Sequence, residues 1–306
     1  MSSNRFRNSA DQLCSRVSAI IWKGYWICKG PPGKPQRPKD SDIVILWMHG
    51  GAYCFGSLLS ATTNLLRVAE TLDERGVSTS VFSVDYTLSL TARLPSQQIE
   101  SVAAFRHLIE IEKIDAQRII LAGESAGGHL ALTFLMALRQ GNLPKPVGAL
   151  LLYPWVNLKN TSPSLEANKN KDVLSKTLLD GCAKLATDEA VDGTWAQVGF
   201  IDLTKPLNGG VTWQEVLPSR TWVNVGTHDV FVHDIRTFVH EAQATGAHIE
   251  LELVDGMPHG WNFTVDKPWE KRYLDLGQSD QVPAAMMQGS AFVAETLWTL
   301  LNHARE

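Results

Sequence analysis

The sequence predicts an α/β fold: a mainly parallel, twisted sheet with helices on both faces. Three observations carry this. Unbroken apolar runs of strand length recur along the chain, Ile43-Val44-Ile45-Leu46-Trp47-Met48 being the clearest. A parallel strand buried on both faces reads as such a run. Helix-periodic segments separate the runs, which is the rhythm of a parallel sheet. Finally, the run 119–122 meets Gly123-Glu124-Ser125-Ala126-Gly127 and then a helical pattern with Leu130, Leu132, Phe134, Leu135 and Leu138. Strand, sharp turn and helix is the context in which G-x-S-x-G exposes a serine at the end of a strand.

In order, residues 1–20 read as a helix or a loose arm. The stretch 21–28 is rich in aromatics and β-formers, and part of it reads as a strand. Residues 29–42 hold four prolines and two glycines, so they form a loop. A strand at 43–48 leads to a helix in about 60–76, then a strand at 80–86. Pro95 suits the first turn of a helix running to about 111. After the serine turn and its helix, a strand at 147–153 is stopped by Pro154. From 155 to 217 the rhythm breaks, with a helix-like patch at 173–185 and no buried strand. It resumes with a strand at 221–226, a helix near 231–245, a strand at 248–254 and a final helix at 288–303. We therefore expect a single domain over 1–306. Cap elements from 1–25 and 156–217 would lie over the carboxyl edge of the sheet, where ligands bind in such folds.

Composition narrows the chemistry. The net charge of −4 comes with no basic run or arginine stripe, which argues against nucleic acid as a partner. Cys14, Cys28, Cys54 and Cys182 are scattered, with neither disulfide-framework nor zinc spacing, so no metal is expected. The first sixteen residues lack a signal-peptide core, and the apolar stretch 17–28 is short and interrupted by Lys23. No stable membrane anchor is expected, and free thiols suit the cytoplasm. Two glycosylation sequons, at Asn160 and Asn262, carry no weight without secretion.

A serine hydroxyl needs a base to take its proton, and the base needs an orienting acid. When a serine sits at such a turn, the acid and then the histidine follow it in the chain. The loop after 221–226 offers Asp229, with Asp234 five residues on. The loop after 248–254 offers His259 between Pro258 and Gly260. Parallel strands end on one edge, so both loops lie beside Ser125. Asp229 is preferred over Asp234, which falls inside the next helix. His228 and His233 lie too close to the acid to reach the serine and read as solvated. Asp255 reads as a turn residue. The developing oxyanion needs N–H donors. Ala126 supplies one, and Gly50 and Gly51, after the 43–48 strand, supply the others.

The motifs His49-Gly50-Gly51-Ala52-Tyr53, Gly123-Glu124-Ser125-Ala126-Gly127-Gly128 and Tyr153-Pro154-Trp155, with the Asp229 and His259 loops, resemble the hormone-sensitive lipase family of α/β-hydrolases. The similarity runs over roughly 20–303 and is strongest to the fungal branch of esterases and acetyl hydrolases. The resemblance implies an α/β-hydrolase fold with an eight-stranded core, a cap, and cofactor-free hydrolysis of carboxylic esters. Ser125 is then the nucleophile, His259 the base and Asp229 the acid, and His49 shapes the glycine loop. The chain departs from the family in having Glu124 where Asp is commoner, and Thr87-Leu88 where Arg-Leu usually follows Asp-Tyr. Only one good strand precedes Ile43, which suggests a shortened N-terminus, a more open site, or closure by a second subunit in a homodimer.

Among ten tryptophans and other aromatics, Tyr53, Phe55, Trp195, Trp213 and Trp261 are candidate pocket walls for an apolar or ring-bearing ester. Packing of cap on core explains them equally well. The same acyl-enzyme chemistry serves an acyltransferase, a thioesterase or a lactone-handling enzyme of a biosynthetic pathway. Receptors related to this family have lost the histidine, and the presence of His259 argues against a non-catalytic receptor.

Overall fold

The computed structural model describes residues 3–8, 13–187 and 200–302. Its strands are β1 (Ser15–Ser18), β2 (Lys23–Cys28), β3 (Ile43–Met48), β4 (Thr79–Val84), β5 (Ile119–Glu124), β6 (Gly148–Leu152), β7 (Thr221–Gly226) and β8 (Ile249–Val254). They form one eight-stranded sheet in the order β1-β2-β4-β3-β5-β6-β7-β8. From β4 through β8 every neighbour is parallel, so these strands end on one edge. β1 and β2 are antiparallel additions on the β4 side. β3, β4 and β7 are buried at every position, β3 as its unbroken apolar run requires.

The described helices are α1 (Thr62–Glu74), α2 (Ser96–Arg106), α3 (Ala126–Gln140), α4 (Pro163–Ala167), α5 (Lys176–Ala186), α6 (Trp213–Val216), α7 (Val232–Ala244), α8 (Trp261–Thr264), α9 (Glu270–Asp275) and α10 (Gln288–Asn302). α1 packs with α9 and α10 as one layer, while α2, α3, α6 and α7 pack in succession as the other. Trp47, in β3, and Trp222, in β7, are buried between the layers. No helix among the described residues is long and apolar enough to cross a membrane.

Two sequence expectations need correction. Residues 15–18 are neither helix nor loose arm: they pair with β2, from Ser15 opposite Trp26 to Ser18 opposite Lys23. The segment Ser-Arg-Val-Ser has one apolar residue, so its strand state comes from its partner and not from its own pattern. Of the residues 1–25 expected to supply cap elements, Arg5 and Phe6 do not lie over the site. Arg5 meets Glu70 of α1 at 2.7 Å, and the ring of Phe6 stands edge-on to Tyr273 of α9 at 6.0 Å. The charge and the ring find partners on the α1 layer, away from the carboxyl edge.

The insertion at 156–217 is also divided. α4 and α5 lie beside the carboxyl edge. α6 lies at the far end of α3, where Glu215 accepts from Arg139 at 2.6 Å and Lys145 donates to the Glu215 and Leu217 carbonyls. Trp195 lies outside the described residues.

α3 starts directly against the ends of β3 and β5. A Cβ on Gly127 would lie 2.1 Å from the Met48 carbonyl oxygen, and one on Gly123 would lie 2.4 Å from that of Gly127. Backbone cannot swing aside as a flexible side chain can. We expect Gly127→Ala to destabilise the fold by about 1–3 kcal/mol, the usual cost of overpacking. A fall in the urea midpoint at unchanged slope checks this.

Candidate active site

Ser125 is the hinge between β5 and α3, with φ 53 and ψ −119. Such a backbone typically costs a non-glycine residue about 1–3 kcal/mol and persists only where its surroundings enforce it. Here the Ser125 N–H donates to Leu152 O at 2.9 Å, and its carbonyl accepts from Gly128, His129 and Trp155 at 3.0–3.1 Å. The strain sets the hydroxyl off the end of the strand, with the α3 N-terminus behind it.

The loops after β7 and β8 bring Asp229 and His259 together. His259 Nδ1 donates to Asp229 Oδ2 at 2.9 Å, in a contact where both side chains are buried. That bond places the imidazole proton on Nδ1 and leaves Nε2 as the basic nitrogen. Asp229 Oδ1 accepts from Phe231 N at 2.7 Å, which holds the carboxylate plane. The rings of Tyr153 and Phe231 stand edge-on to the imidazole at 4.7 and 5.1 Å. Burial pulls the His259 pKa down, but Asp229, then Asp172 and Glu124, outweigh it and the net shift is upward. Among the described residues no hydrogen bond joins Ser125 Oγ to His259, and such contacts commonly tighten only in the substrate complex.

The other acids separate as expected. Asp234 sits in α7, where burial raises its pKa against the pull of Asn157 and Ser162. Asp255 accepts from Thr227 Oγ1 at 3.0 Å in an exposed turn. His228 is half-buried and His233 exposed.

The loop after β3 is braced from within. His49 Nδ1 donates to the Gly50 carbonyl at 2.7 Å, and Tyr86 Oη donates to the His49 carbonyl at 2.8 Å. The His49 and Tyr86 rings stack at 4.1 Å. Burial outweighs the Gly50 contact and lowers the His49 pKa to about 4, so its ring stays neutral near pH 7. The expected donors divide. Gly50 N–H donates to Glu124 Oε1 at 3.2 Å, so it is spent on a side chain. The Gly51 and Ala126 N–H groups have no acceptor among the described residues.

Glu124 itself is missing from the expected site. It also accepts from Tyr153 Oη at 3.2 Å. Burial raises its pKa, against the pull of the Gly50 N–H, the Tyr153 hydroxyl and His259. Its place before Ser125 was the only sequence signal.

The aromatic candidates fare unevenly. Trp213 is fully buried in α6, edge-on to Phe238 at 5.0 Å, on the amino side of the sheet. Trp261 is buried against Phe292, and its indole donates to Asn224 Oδ1 at 2.9 Å. Both are core residues and not pocket walls, because a large ring recovers most free energy where it is fully enclosed. Tyr53 is also fully buried: its hydroxyl meets His129 Nδ1 at 2.7 Å, so it braces the glycine loop. Phe55 alone of the described candidates is well exposed, at 53%. A cavity of about 720 Å³, lined by Arg220, Thr221, Ile249 and Phe292, lies at the amino ends of β7 and β8 and touches none of the acid–base groups above.

A model of the alpha/beta hydrolase fold family matches residues 45–263. An esterase of Acinetobacter venetianus is 28% identical over 277 residues, covering 87% of this chain and 83% of that protein. An acetyl-hydrolase of Streptomyces hygroscopicus is 27% identical over 228 residues, covering 74% and 71%. Among solved structures, an esterase from the bacterial hormone-sensitive lipase family superposes with a TM-score of 0.73 at 26% identity, covering 95% of this chain and 86% of that one. The chain belongs to the alpha/beta hydrolase fold family and is similar to its hormone-sensitive lipase members.

Proposed function

We propose that the protein is a carboxylic ester hydrolase working through Ser125, His259 and Asp229. The buried 2.9 Å contact of Asp229 with His259, on the same sheet edge as the strained Ser125, carries this reading. The named esterase and acetyl-hydrolase relatives support it.

Ser125 Oγ attacks the ester carbonyl while His259 Nε2 takes its proton. The carbonyl oxygen becomes an oxyanion held by the Gly51 and Ala126 N–H groups. Gly50 acts one step back, through Glu124, to hold the loop. The imidazolium next to Asp229 then protonates the leaving alcohol, and the acyl group remains on Ser125. Water, deprotonated by His259, attacks the acyl carbon and releases the acid. No cofactor enters these steps. The cap is the part of 156–217 at the carboxyl edge, within one domain. The finer placement in the fungal branch rests on the motifs alone. The preference for an apolar or ring-bearing ester rests on Phe55, exposed on the glycine loop.

Replacing the nucleophile of such a unit costs on the order of a million-fold in turnover. Ser125→Ala should therefore fold normally, fail to hydrolyse p-nitrophenyl butyrate and resist a fluorophosphonate probe. Undiminished activity in that variant would overturn the assignment.

A pH profile gives a second check. The base works only when neutral, and the His259 pKa is raised. Activity should thus be lost, as pH falls, at a higher pH than an ordinary imidazole of about 6.5 would give. His49 and His129, both lowered to about 4 chiefly by burial, should add no step near neutrality. An acid limb of kcat/KM below 6 contradicts the environment described for His259.

A further inference from the structure

Asp172 lies between α4 and α5, in the insertion, and its carboxylate reaches both loops of the acid–base pair. Oδ2 accepts from Val230 N, the amide next to Asp229, at 2.6 Å. Oδ1 accepts from the amide of His259 itself at 3.3 Å. The same oxygen also accepts from Val173 N at 2.5 Å and Leu174 N at 3.3 Å, which hold the carboxylate in place. Four residues back, Asn168 Nδ2 donates to the Thr227 and Asp229 carbonyls at 3.1 and 2.9 Å.

We propose that Asp172 is a positioning residue of the catalytic unit: from the insertion it ties the acid loop to the base loop and sets a second carboxylate at the backbone of His259. The proposal rests on the Ser125–His259–Asp229 reading above. Amide-to-carboxylate bonds are charge-assisted and roughly twice as strong as neutral ones. Both amides need an acceptor. An asparagine here would turn its NH2 toward one of them and leave that N–H unpaired, so the site calls for a carboxylate.

The charge matters separately from the tie. The ionisable groups acting on His259 are Asp229, Asp172 and Glu124, all acidic. Those acting on Asp172 are Asp229 and His259. When His259 accepts the serine proton, Asp172 helps to stabilise the imidazolium. It also favours the protonated ring in the resting enzyme. Removing the charge should therefore weaken the base and move the acid limb of kcat/KM to lower pH.

The test is the pH profile of p-nitrophenyl butyrate hydrolysis by the full chain. Asp172→Asn should lower the plateau of kcat/KM about 10- to 100-fold, the scale of a small misplacement in a catalytic unit, and should shift the acid limb downward. Asn168→Ala, which loosens the acid loop but keeps the charge, should lower the plateau and leave the limb unmoved. A purely structural role for Asp172 predicts no limb shift in either variant, and that outcome overturns the proposal. So does a wild-type profile in Asp172→Asn. Should that variant fail to fold, Asp172→Glu keeps the charge but displaces it: a lowered plateau supports the proposal and a wild-type plateau overturns it. Ser125→Ala is assayed in parallel. An active Ser125→Ala sinks the triad itself, whereas an inactive one beside an unaltered Asp172→Asn sinks only the role of Asp172.

Discussion

The carboxyl edge of this sheet depends on one residue held in a backbone conformation it would not adopt alone. Ser125 at φ 53 is fixed by hydrogen bonds to Leu152, Gly128, His129 and Trp155. Those partners belong to β6, α3 and the loop after β6, so the turn is enforced from three sides. The close approach at Gly123 and Gly127 lets α3 begin there at all. Relaxing the serine would move the start of α3, and with it the Ala126 amide. The strain is therefore a property of the whole junction and is held by the sheet.

Around that junction lies an excess of acid, with Asp229 buried and Asp172 and Glu124 half-buried. Asp229, Asp172 and Glu124 all act on one imidazole. Each carboxylate is held by backbone amides: Phe231 for Asp229, Val230 and His259 for Asp172, Gly50 for Glu124. Charges taken wholly or partly out of water persist when hydrogen bonds replace it. Here the replacing donors belong to the loops that hold Asp229, His259 and Gly51, so the same bonds that satisfy the charges fix the loops.

Much of this was legible in the sequence, and the failures have physical causes. β3 was readable to the residue because a strand buried on both faces can be apolar throughout, and β7 because Trp222, Val223 and Val225 keep strand character up to Gly226. Asp229 and His259 were readable because parallel strands deliver their loops to one edge. β1 was not, because an outer strand of serine and arginine owes its state to its neighbour. Asp172 was not, because it follows Lys169-Asn170-Lys171, which reads as a solvated surface run. Trp213 misled because a tryptophan looks the same whether it walls a pocket or fills a core. The glycines after β3 are legible as a loop, but composition does not say which way an amide points, so the commitment of Gly50 to Glu124 shows only in the fold.

The buried chain from Tyr53 through His129 to Phe200 has a further consequence. Tyr53 Oη meets His129 Nδ1, and His129 Nε2 meets the Phe200 carbonyl, each at 2.7 Å. Tyr53 belongs to the glycine loop, His129 to the first turn of α3, and Phe200 to the insertion. One neutral ring thus works as a tie rod between the insertion and the glycine loop, anchored on α3. The insertion and the glycine loop share one buried side chain, and neither shifts at this point without straining a bond of His129.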